Sequence, residues 1–446
     1  VEVDARESVD FYGWMHFGDV RVVDEDGGTG QSNLQYDFGY GMLVQALRTL
    51  DGAPELSELW WELGEEAARH SADIDVLHVH WGRGGDPSSL WIRWCWGGMF
   101  WHTPHGDPGT EAPHRGGAPS LEFQHGRGLA LYYLLTGYRP ALEAFMEVAE
   151  NTLWRVENGP GEPGYSGTTG DEARAPANAI AILTAAYEVT MNRSFLEAAS
   201  KAVRESSFSS RWYSRPGPPR GSVAPWQVAM LMVSLGRYLD VVERDLGLVD
   251  REALDSLLGY ADWLLENAYL VGGGSRFPHF AYRWNGSPVD WSPGAGANAW
   301  MLVFSDAFTY AWERSGDPRY LEVARVQFEV GSRHFWYEDC PPGQFATGKQ
   351  HAILSTSGFK YGLVLASREA AAPPPGGPGP IPLSALPGEG FIGPAPEAPR
   401  WTELFSQRTR GRCWPGPSGG AGGPTGSRGG PGLRPPRGWP GWASWR

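Results

Sequence analysis

The chain has 446 residues, a formal net charge of −14 and a sequence pI of about 5.3. That balance argues against nucleic acid and anionic membrane as partners. No apolar run reaches the roughly 18 residues of a membrane span, no stretch reads as a signal peptide, and Cys95, Cys340 and Cys413 show neither metal spacing nor a disulfide framework, which leaves the compartment open.

Residues 1–35 read as an irregular segment leading into a helical ring. The piece Phe11–Asp19 is aromatic and lacks a helical period, and Asp24–Gly28 is an acidic turn. From Tyr36 a repeat begins. Tyr36–Thr49 is an apolar helix rich in small residues, and Glu55–His70 is an amphipathic one. The pair recurs as Leu121–Leu135 with Pro140–Arg155, and as Ala175–Val189 with Ser194–Ser206. It recurs again as Ala224–Val242 with Asp250–Ala268, and as Ala295–Glu313 with Arg319–Arg333. A sixth apolar helix, Ala352–Arg368, stands alone.

The phrases TGYRPALEAF, TMNRSFLEAA and SGDPRYLEVA repeat one turn followed by one outer helix. A helix apolar on most of its surface is buried on both sides, while its partner shows one stripe. Six inner helices followed by outer ones predict an all-α fold, an incomplete (α/α)6 toroid over 36–371. After Arg368 the composition breaks. Residues 372–446 are almost half Gly plus Pro, too poor in apolar residues to fold alone, and read as a disordered tail.

The inner-to-outer links are short. The outer-to-inner links are long and hold nearly all the unusual residues, and long ordered loops are usually functional. A ring gathers these loops on one face, at the N-terminal ends of the inner helices. Four of the eleven histidines, His102, His105, His114 and His125, fall in one such stretch with Trp101, Arg115, Glu122 and Arg127. Asn33 and Tyr36 belong to the first loop. Arg174 and Asn178 share a face one helical turn apart. Trp226, His279, Arg283 and Trp291 complete the set. A Trp in such a loop is as well explained by core packing as by a sugar platform.

No nucleotide-binding, serine-hydrolase or zinc-protease motif is present, and the histidine spacing is not a standard zinc pattern. We therefore expect no cofactor and no metal. Two chemistries suit the mouth. One is β-elimination from a uronic acid, which needs cations on the sugar carboxylate, a base and an acid. Here His102, His125 and Tyr36 are the proton-transfer candidates. Arg115, Arg127, Arg174 and Asn178 are the candidates for holding the carboxylate. The other is glycoside hydrolysis by paired carboxylates, with Asp37, Glu122, Asp171 and Glu172 as candidates. A non-catalytic glycan-binding ring is the third reading. All three imply an oligo- or polysaccharide partner, acidic for the first.

The pieces YGWMHFGD, NLQYD (Asn33–Asp37), FWHTPH and HRGGAPSLEFQHGRGL, with the TGD-type turns, resemble the YetA-like, exo-acting rhamnogalacturonan lyase family. The resemblance runs over roughly Phe11–Arg368. It implies an (α/α)6 catalytic domain and cleavage of pectin-type rhamnogalacturonan by elimination.

Overall fold

In the computed structural model the described residues are 17–18, 20–23, 29–32, 34, 36–78, 96–99, 120–158, 173–271, 277–289, 300–333, 353 and 355–371. The chain divides into two units, Val1–Pro387 and Gly388–Arg446, and every described residue belongs to the first. The low-complexity stretch 372–446 lies outside the described residues.

A short hairpin opens the fold. β1 (Val20–Val23) pairs antiparallel with β2 (Thr29–Ser32), Val20 opposite Ser32. Helices then alternate. The inner ones are α1 (Phe38–Thr49), α3 (Arg127–Thr136), α5 (Arg174–Thr190), α7 (Pro225–Leu246), α9 (Met301–Ser315) and α11 (Phe359–Ala371). The outer ones are α2 (Pro54–His70), α4 (Arg139–Asn158), α6 (Arg193–Glu205), α8 (Arg251–Asn267) and α10 (Pro318–Arg333). Between α8 and α9, β3 (Tyr269–Leu270) pairs with β4 (His279–Phe280), and β5 (Arg283–Trp284) with β6 (Pro288–Val289).

Each inner helix packs on the outer helix that follows it and on the next inner helix, from α1 through α11. The ring closes at the segment before α11. A Cβ on Gly41 of α1 would meet the Ser355 carbonyl oxygen at 2.5 Å, so only glycine admits that approach. The fold is thus an (α/α)6 toroid, with five outer helices among the described residues. Burial follows the expected division. α5 buries its surface nearly all round, from Ala175 to Tyr187, whereas α6 buries only the stripe Phe195, Leu196, Ala198, Ala199, Ala202 and Val203.

The recurring turn has one geometry. Thr136, Thr190 and Ser315 each donate their hydroxyl to the carbonyl four residues back, at 2.6–2.7 Å. Each also accepts the N–H two residues on, at 3.1 Å. The intervening residue takes a left-handed conformation, Gly137 (φ 70°), Met191 (φ 56°) and Gly316 (φ 73°), and closes the helix by donating to the fourth carbonyl back. Met191 is the only one of the three with a side chain, and it is exposed. A left-handed non-glycine residue costs roughly 1–2 kcal/mol, of which the freer unfolded chain of glycine returns about 0.4–1. Met191→Gly is therefore expected to raise the melting temperature slightly, and a fall would contradict this account of the turn.

Two inner helices begin later than their apolar runs suggest. Leu121–Phe123 forms a turn, and α3 starts at Arg127, because the Asp37 carboxylate stands at its first amides. Likewise α11 starts at Phe359, where Asp306 takes the amides of Gly358, Lys360 and Tyr361. A carboxylate from a neighbouring element sets each start, which a local pattern does not contain.

Candidate active site

All six inner helices, or the residues just before them, line one cavity of about 90 Å³, room for several water molecules. Tyr36 and Asp37 come from the entry to α1. Gln124, His125 and Arg127 come from the entry to α3, and Asn178 from α5. Ser234 and Arg237 lie on α7, Asp306 on α9, and Thr356 and Ser357 precede α11. The cavity is the lumen of the ring.

Its wall is built on strained backbone. Leu34, Tyr36 and Asp37 all have positive φ, at 54°, 69° and 65°. Non-glycine residues rarely adopt this region, and clusters of them mark sites where geometry is held for a purpose. What holds this cluster is Asp37. Its Oδ1 accepts the Gly128 N–H at 2.8 Å, and its Oδ2 accepts the Arg127 N–H at 2.9 Å and Arg127 Nε–H at 3.2 Å. Gly128 lacks the Cβ that would sit 2.7 Å from the Tyr40 nitrogen. Thus the starts of α1 and α3 interlock.

His125 is 7% exposed, and its Nδ1 stands 3.9 Å from Asp37 Oδ1, too far for a hydrogen bond. Arg127 lies 4.3 Å over the Tyr40 ring, and beyond Nε its guanidinium has no hydrogen-bond partner among the described residues. Asn178 donates Nδ2 to the Leu121 and Glu122 carbonyls, both at 2.9 Å, and so ties the α3 entry to α5. Tyr36 meets the Trp300 ring edge-on, with centroids 5.3 Å apart.

Five of the residues singled out in the sequence therefore meet in the lumen: Tyr36, Asp37, His125, Arg127 and Asn178. Others stand apart from it. Arg174 is buried, with its guanidinium 4.5 Å from the Tyr36 ring centre and 4.6 Å from that of Phe123. Its Nη1 is 3.9 Å from Glu122 Oε1. Glu122 does not line the lumen. Trp226 is buried and stacks on Trp300 at 4.1 Å. His279 is buried in β4, its Nδ1 3.0 Å from the Phe277 carbonyl, and Arg283 is exposed in β5. Asn33, Trp101, His102, His105, His114, Arg115, Asp171, Glu172 and Trp291 lie outside the described residues. Among the described residues no cluster of three His, Cys, Asp or Glu suits a metal, and no helix is long and apolar enough to cross a membrane.

The sequence reading missed Arg237, Ser234 and Asp306. Their signal is a polar residue within an otherwise apolar inner helix. Burial pushes the Asp306 carboxyl up from 3.8 to about 7, against the pull of the α11 amides. Because the folded value is the higher, its stabilising contribution is full below its ordinary 3.8 and is lost as pH rises to about 7. The stability of the protein relative to an Asp306→Asn variant should therefore decline across that window and level off above it. A difference independent of pH in urea titrations would contradict the burial argument.

No protein-family model matches the chain, and no curated protein matches it. Among solved structures, it is similar to a sugar epimerase from a ruminal bacterium, at 12% identity and TM-score 0.48 over 78% of this chain and 93% of that one. A polysaccharide lyase is similar at 13% identity and TM-score 0.47, over 75% and 92%. An unsaturated glucuronyl hydrolase specific for heparin is similar at 10% identity and TM-score 0.46, over 78% and 91%. These proteins carry out different reactions, and the likeness transfers none of them.

Proposed function

We propose that the chain is a carbohydrate-active enzyme that acts on an acidic, pectin-type saccharide as a polysaccharide lyase. The observation that carries this is the lumen wall, where His125, Tyr36 and Arg127 come together. Arg127 keeps its terminal nitrogens for an anion and would hold the uronate carboxylate. His125 would take the proton from C5, as the C4–C5 double bond forms and the C4–O bond breaks. Tyr36 would give its phenolic proton to the departing oxygen. The charge that builds on the carboxylate in the transition state is then met by a cation already in place.

Hydrolysis by two carboxylates is less well supported. Of its candidates Asp37, Glu122, Asp171 and Glu172, only Asp37 lines the cavity among the described residues, and the other carboxylate there is Asp306. Asp37 and Asp306 both line the lumen, and both are already bound to backbone amides of the next helix. A general acid or base needs its oxygens available to substrate and water.

The test is incubation with polygalacturonate and rhamnogalacturonan. Ultraviolet absorbance from an unsaturated uronate end is the expected result. New reducing ends without that absorbance would mean hydrolysis, and binding without product would mean a glycan-binding ring.

A further inference from the structure

The lumen holds a second arginine that the proposed elimination does not use. Arg237 sits on α7, Arg127 on α3, and α5 lies between these helices in the ring. Both guanidinium groups nevertheless lie over the ring of Tyr40 on α1, Arg127 at 4.3 Å and Arg237 at 6.0 Å. The two distances put the cationic carbons no more than roughly 10 Å apart.

Among the described residues each arginine has one carboxylate partner, and that partner is shared. Asp37, beside Arg127, also serves two backbone amides. Glu188, which takes Arg237 Nη2 at 2.8 Å, is shared with Arg244 at 3.3 Å. Beyond these contacts, neither lumen arginine has a further hydrogen-bond partner among the described residues. Ser234, one helical turn before Arg237 on α7, adds a hydroxyl to the same cavity. Two guanidinium groups on one cavity, each with donors beyond its single carboxylate partner, suit a planar carboxylate held by charge-assisted bonds.

We infer that Arg237 and Arg127 together form a carboxylate subsite in the lumen, with Arg237 the residue that selects a uronate over its neutral counterpart sugar. This rests on the proposed acidic substrate and names what recognises it. Arg237 binds the sugar carboxylate on the side opposite Arg127, and Ser234 bonds a neighbouring hydroxyl or carboxylate oxygen.

The test is calorimetric binding of galacturonate and of galactose, which differ only at C6, to the whole chain. Arg237→Met and Arg237→Lys are the variants. Glu188 keeps Arg244 in both, so neither strands that carboxylate. The unmodified protein is expected to prefer galacturonate. Arg237→Met should weaken galacturonate roughly ten- to hundredfold and leave galactose within about twofold. Arg237→Lys, which keeps the charge without the fork, should retain part of the preference. Absence of any preference in the unmodified protein, or an unchanged preference in Arg237→Met, would overturn the inference. So would equal weakening of both sugars. Should Arg237→Met fail to fold, Arg237→Lys decides the matter, because full preference in that variant with no loss of affinity would also overturn it. The measurement needs no turnover. Arg237-dependent uronate binding by a chain without lyase activity would sink the catalytic reading and leave this one standing.

Discussion

Replacing His125 by glutamine is expected to cut turnover on a uronate polymer by roughly 10²–10⁴-fold, the usual contribution of a positioned acid or base. Glutamine fills much of the same space and still forms hydrogen bonds, but it does not exchange a proton near neutral pH. His125 is buried at the lumen wall and lines the cavity with Tyr36 and Arg127. Its loss should therefore lower kcat while leaving uronate binding by the arginines nearly unchanged. An unchanged melting temperature would show that the ring is intact. His102→Gln is the companion variant, since that histidine shares the same long connection in the sequence. Near-full turnover in both folded variants would remove histidine from proton transfer. Loss of activity confined to Glu122→Gln and Asp37→Asn would instead favour hydrolysis by two carboxylates.

The largest effect on stability is expected at Asp37. Its carboxylate is almost wholly buried and holds two backbone amides and the Arg127 side chain at once. Asp37→Ala leaves those amides and a partly buried cation without their acceptor. Breaking a buried charge pair in this way costs about 3–5 kcal/mol. The variant also puts alanine at φ 65°, where a short polar residue is better tolerated. Asp37→Asn keeps one acceptor oxygen and that tolerance, so its cost should be clearly smaller. Urea denaturation of the two variants beside the parent measures both. Equal stability of Asp37→Ala and the parent would remove the carboxylate as the link between α1 and α3.

Both residues stand just before inner helices that the sequence located. The apolar runs and their amphipathic partners marked five hairpins and a lone sixth inner helix, because burial on two sides and on one side leave different periods in the chain. The repeated phrases at Thr136, Thr190 and Ser315 were equally legible. Each is a local turn, closed by a hydroxyl and one left-handed residue within a few positions of sequence. The sequence singled out His125, Tyr36 and Arg127 because titratable groups gathered at helix entrances are not needed for packing, and the ring brings the three to one cavity.

What the sequence could not contain is which way an inner helix faces. A helix apolar all round gives no moment to orient it, so Arg237 and Asp306 read as isolated polar residues within buried segments. Only the curvature of the ring turns them toward the lumen. The same limit applies to Arg174 and Trp226. Their positions in long connections suited a sugar platform or a carboxylate clamp as well as a core. The packing of Trp226 on Trp300, and of Arg174 against Tyr36 and Phe123, brings together residues from separate connections along the chain. Helix starts follow the same rule. Asp37 and Asp306 fix where α3 and α11 begin from about 90 and 52 residues away in sequence, through hydrogen bonds that exist only once the ring has closed.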